Sequence, residues 1–118
     1  MSDKQNNIVI TSAVRTAIGS FRGALKKIQA DELGSVVVKA VVKKSNLTFN
    51  DVDELIMGQV LTASAGQNPA RQAAIKAGLP NEKTAYVINQ VCGSGLRSVA
   101  AGYQSIMSKD YNIVIAGG

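Results

Sequence analysis

Apolar residues along this chain come in two alternating rhythms. Short β-branched runs predict strands over residues 7–14 (NIVITSAV), 52–61 (VDELIMGQVL, starting near Glu54), 84–89 (TAYVIN) and 111–116 (YNIVIA). Between them, apolar positions recur at steps of three and four, as on one face of a helix. Leu33, Val36, Val37, Ala40 and Val41 form the first such face. Asp31 and Glu32 open that helix and Lys43 and Lys44 close it, charges that suit its dipole. The second helix, Pro69–Ala77, has clear bounds: Asn68 fits an N-cap, Pro69 the first helical position, and Gly78 the residue just past the end. Leu96, Val99, Ala100, Tyr103, Ile106 and Met107 give the third face, over residues 94–108.

Four strands alternating with three helices, in the order β-α-β-α-β-α-β, predict an α/β fold. The expected architecture is a mostly parallel sheet of four strands with helices on both faces. Ligands of such sheets gather at the carboxyl ends of the strands. A length of 118 residues suits a single domain. With 46% hydrophobic and 18% charged residues the chain is globular rather than disordered. No linker or repeat divides it.

The chemistry concentrates in residues 85–107, AYVINQVCGSGLRSVAAGYQSIM, where a strand meets a Gly-rich turn and then a helix. Cys92, the only cysteine, sits in that turn. A lone cysteine beside an apolar strand is ordinarily a small buried hydrophobe. Here it falls at the carboxyl end of the sheet and at a helix N-terminus, where unpaired N–H groups and the helix dipole favour a thiolate. Gly93 and Gly95 flank it and leave room for a substrate. Residues 15–25 (RTAIGSFRGAL) and 62–67 (TASAGQ) fall at the same end and are expected to wall a site with Cys92. A phosphate-binding reading of GSGLRS fares worse, because Ser98 stands where a third glycine belongs and no acidic residue ends the next strand.

Charge and termini narrow the classes further. The net charge of +5 is scattered, with Lys26-Lys27 and Lys43-Lys44 the densest runs. Without an aromatic-rich basic stripe this argues against a nucleic-acid binder, and it suits anionic, phosphate-bearing substrates equally well. One cysteine forms no internal disulfide, which suits a reducing compartment. MSDKQNN shows neither a signal-peptide core nor a transit pattern, and no apolar run approaches a membrane span. A cytoplasmic chain with no membrane partner is expected.

At residues 89–98, NQVCGSGLRS resembles the acylation-site motif of thiolases, the acyl-CoA acyltransferases. Residues 15–25 resemble the family's early loop. Residues 58–80 (GQVLTASAGQNPARQAAIKAGLP) are similar to the stretch ahead of its third strand, and residues 113–118 (IVIAGG) to a strand that normally runs on. The resemblance spans the whole chain, and within the family it points to the biosynthetic acetoacetyl-CoA branch. Ketoacyl synthases share the fold and an acylated cysteine, but the match around GQNPARQAA argues against them.

The resemblance implies that Cys92 attacks an acyl-CoA carbonyl and carries the acyl group as a thioester, its own backbone N–H helping to form an oxyanion hole. A second acetyl-CoA then condenses onto it to give acetoacetyl-CoA, or thiolysis runs the reverse. No cofactor is held permanently: the coenzyme A thioester is the substrate. Family members form dimers or tetramers, so a homo-oligomer is expected. The resemblance also places residues 1–118 as a truncated thiolase N-terminal domain. The family's activating His and second Cys have no counterpart among these residues, and alone they are expected to be inactive. A non-catalytic remnant or interaction module is the alternative that the sequence leaves open.

Overall fold

The computed structural model describes residues 7–118. Residues 1–6, which carry most of the polar opening stretch, lie outside the described residues. Three strands form the sheet: β1 (Glu54–Gly58), β2 (Thr84–Ile88) and β3 (Val114–Gly117). Three helices separate or precede them: α1 (Ala30–Lys44), α2 (Pro69–Ala77) and α3 (Ser94–Met107). The strand order is β2-β1-β3, and both pairings are parallel, Leu55 facing Ala85 on one side and Ile115 on the other.

β1 is therefore the central strand, and its side chains alternate between two layers. Leu55 and Met57 point toward α1 and α2, where Val38, Val42, Val52, Ala73, Ala74, Ala77 and Leu79 complete a core. Glu54 and Gly58 meet α3 on the other face, through Ser105 and Ser94. Helices on both faces, as the alternation predicts, follow from a strand that is buried on both sides.

The strand predicted over residues 7–14 does not form, so the sheet has three strands among the described residues and not four. Val9 is 69% and Ile10 80% exposed. The segment runs beside the sheet without joining it, tied by Lys44 Nζ donating to the Ala13 carbonyl (3.0 Å). Between residues 7–12 and β3 lies an apolar groove of about 680 Å³, lined by Val99, Tyr103, Ile113 and Ile115. β-propensity describes a fit to a pleated, half-buried surface. The free edge of β3 stands across that groove, out of ladder reach.

The helices also bury faces other than the apolar ones. α1 turns Asp31, Gly34, Ser35, Val38 and Val42 inward, while Val36 and Ala40 face solvent. α3 buries Ser94, Ser98 and Gly102, and leaves Leu96 79% and Met107 55% exposed. Small residues win because they let helix backbones approach closely: a Cβ on Gly102 would stand 3.2 Å from Val114 Cγ1. Buried Ser98 satisfies its hydroxyl on its own helix, donating to the Gly95 carbonyl.

Polar ties gather at the amino ends of the strands. Asp53 accepts from the Asn112 and Ile113 N–H groups at 2.8 and 3.0 Å, and Lys83 lies 3.6 Å from its other oxygen. Buried Glu54 accepts from Thr84 and Ser105. Arg71 donates to the Lys83 and Asn81 carbonyls at 2.8 and 2.9 Å, pinning the approach to β2.

Candidate active site

β2 ends at Ile88, and within five residues the chain reverses into α3. The reversal is built at Val91, whose φ of +49° lies in the left-handed region. A β-branched residue there is a true outlier that costs about 1–3 kcal/mol and persists only where its surroundings enforce it. Four hydrogen bonds do so. Asn89 Oδ1 accepts from the Val91 N–H at 2.9 Å. Ser94 Oγ accepts from the Gln90 N–H at 2.8 Å and donates to the Val91 carbonyl at 2.7 Å. The Gly93 N–H closes a turn onto the Gln90 carbonyl at 3.0 Å.

Cys92 stands on the crest of this turn and is exposed. It precedes the N-cap Gly93 by one residue, so the thiol lies at the head of α3 as the pattern predicts. Gly93 takes an ordinary φ of −85°, and its N–H is already bonded. The Gly95 Cα packs on the end of β3, where a Cβ on Gly118 would fall 2.7 Å away, whereas a Cβ on Gly95 itself would make only ordinary contact, 3.8 Å from the Gly118 Cα.

Glycine is required at Gly58, on the last residue of β1. A Cβ there would stand 2.5 Å from the Ser94 carbonyl carbon and 2.7 Å from Ser94 Cβ. The head of α3 thus rests directly on the central strand, and Ser94 is only 4% exposed. The chain leaving β1 is fastened to the same turn, Gln59 N–H donating to the Ile88 carbonyl (3.1 Å) and Asn89 Nδ2 to the Val60 carbonyl (3.0 Å).

The two loops expected to wall the site behave differently. Residues 59–61 reach the Cys92 turn, but residues 62–67 bend away toward the start of α1, with Gln72 Nε2 holding the Ala65 and Gln67 carbonyls. Residues 15–25 fold on themselves, Gly19 against Leu25 and the Gly23 N–H onto the Ser20 carbonyl. No hydrogen bond among the described residues joins them to the turn. Sequence reasoning missed Asn89 and Val91. An Asx-turn signal two residues ahead of Val91 could have found the first, whereas nothing in a valine announces a left-handed backbone.

A family model described as "Thiolase, N-terminal domain" matches residues 8–118. The chain belongs to the thiolase family. Among curated proteins, an acetyl-CoA acetyltransferase of Rhizobium meliloti is 57% identical over 112 residues, 95% of this chain and 28% of that protein. One from Paracoccus denitrificans is 57% identical, covering 93% of this chain and 28% of its own length. A probable acetyl-CoA acetyltransferase of Escherichia coli is 56% identical, covering 95% and 28%. The chain thus spans about 28% of the length of these relatives. No helix of the described residues is long and apolar enough to cross a membrane.

Proposed function

We propose that this chain carries the acyl-accepting half of a thiolase reaction, with Cys92 as nucleophile. The observation that supports it most directly is the NQVCGSGLRS turn, which presents an exposed thiol at the carboxyl end of a parallel sheet. In the reaction, Cys92 Sγ attacks the carbonyl carbon of acetyl-CoA and the bond from that carbon to the coenzyme A sulfur breaks. Coenzyme A leaves as the thiol, taking the proton, and the acetyl group stays as a thioester on Cys92. The Cys92 backbone N–H is the oxyanion donor of this reading.

Condensation needs more than these residues hold. The chain has no histidine and no second cysteine, so the base that activates the thiol and the group that deprotonates the second acetyl-CoA come from protein outside this stretch. This reading treats residues 1–118 as the N-terminal part of a longer enzyme that works in the cytoplasm as a homo-oligomer, without a permanently bound cofactor. Acetyl-CoA as substrate rests on the names of the relatives.

The test is acetyl transfer from radiolabelled acetyl-CoA to protein in the full-length context. One acetyl group per chain is expected on the tryptic peptide that contains Cys92, and none on Cys92→Ser. Label retained by Cys92→Ser overturns the assignment.

A further inference from the structure

We propose that Asn89 is a positioning residue for Cys92: its carboxamide links the loop after β1 to the left-handed turn at Val91 and so fixes the direction of the thiol. The inference rests on the nucleophile reading above and adds a residue to it. Both ends of the carboxamide are occupied, Nδ2 on the Val60 carbonyl at 3.0 Å and Oδ1 on the Val91 N–H at 2.9 Å. Asn89 itself is exposed, so neither bond serves to satisfy a buried polar group. What the pair of bonds does is hold Val91 at a φ of +49°, which a valine abandons when it is free to do so. A return of Val91 to negative φ would swing Cys92 away from the head of α3. Ser94 grips the peptides on either side, at the Gln90 N–H and the Val91 carbonyl, but it is buried under Gly58 and serves the packing as well. Asn89, exposed, has no packing duty of that kind.

The measurement is the rate of Cys92 alkylation by iodoacetamide at neutral pH in the full-length protein, read by mass on the tryptic peptide that contains Cys92. Asn89→Ala is expected to slow it about fivefold, the population shift that one net hydrogen bond supports. Its thermal midpoint is expected to stay near that of the parent. Adding Val91→Gly is expected to restore most of the lost rate, because glycine enters the left-handed region without a lock. A merely structural Asn89 would not be rescued from two residues away. Alkylation of Asn89→Ala at the parent rate, or a slowed rate that Val91→Gly leaves unchanged, overturns the proposal. Should Asn89→Ala fail to fold, Asn89→Ser keeps an acceptor for the Val91 N–H and loses only the reach to Val60. Partial slowing then supports the proposal and the parent rate overturns it. Alkylation needs no acetyl-CoA. A chain that takes no acetyl group yet shows this pattern refutes the nucleophile reading alone, and one that is acetylated without the pattern refutes only the role of Asn89.

Discussion

Gly34 on α1 and Ala73 on α2 touch so closely that a Cβ on the glycine would stand 2.9 Å from the alanine Cβ. The two helices share the face of the sheet that carries the larger core, and this contact sets their separation. In isolation alanine at position 34 would favour the helix by about 1 kcal/mol. The close packing reverses that sign. Gly34→Ala is expected to destabilise by about 1 kcal/mol net, and Gly34→Leu by about 3 kcal/mol, as over-packed sites do. Urea unfolding monitored by circular dichroism checks this; an unchanged or raised midpoint for Gly34→Leu would show that the helices separate freely.

Asp53 gives a pH dependence of known sign. Partial burial pushes its carboxyl up, but the N–H groups of Asn112 and Ile113, with Lys83 beside them, more than offset this and hold it below the ordinary value of 3.8. Because the folded value is the lower one, this contribution is fully present above the ordinary carboxylate range. It is lost as pH falls through that range and below it. Asp53→Asn is expected to cost about 1–2 kcal/mol at neutral pH, as loss of charge-assisted hydrogen bonds does, and progressively less as pH falls below the ordinary carboxylate range. Thermal midpoints of both proteins across that range test it, and parallel curves would exclude Asp53 as a source of acid sensitivity.

The outer face of α3 exposes Leu96, Tyr103 and Met107 together. Apolar surface of this kind drives association. The chain by itself is expected to self-associate at micromolar concentration in light scattering, and Leu96→Gln with Met107→Gln to shift it toward the monomer. A monodisperse monomer of the parent chain would show that this face tolerates water.

The ends of α2 were legible because local chemistry decides them. Asn68 Oδ1 accepts from the Arg71 N–H at 3.1 Å, and Gly78 takes a φ of +109° that an L side chain resists. Which face a helix buries was not legible in α1 and α3. Periodicity finds the widest apolar stripe, but Gly34, Ser98 and Gly102 show that close approach selects small residues instead. The β-branched run at residues 7–14 failed for a different reason, since a strand is defined by an edge within reach and not by its own composition. At the site, the position of Cys92 between strand and helix could be read directly. The conformation of Val91 could not, because it arises from two side chains acting on a neighbour's backbone.

The polar ties of Asp53, Glu54 and Arg71 sit at the opposite end of the sheet from Cys92. The contacts that fasten the amino ends of the strands and those that shape the Cys92 turn therefore involve different residues, separated by the length of β1. Selection can strengthen the one end without disturbing the other, and a protein engineer has the same freedom.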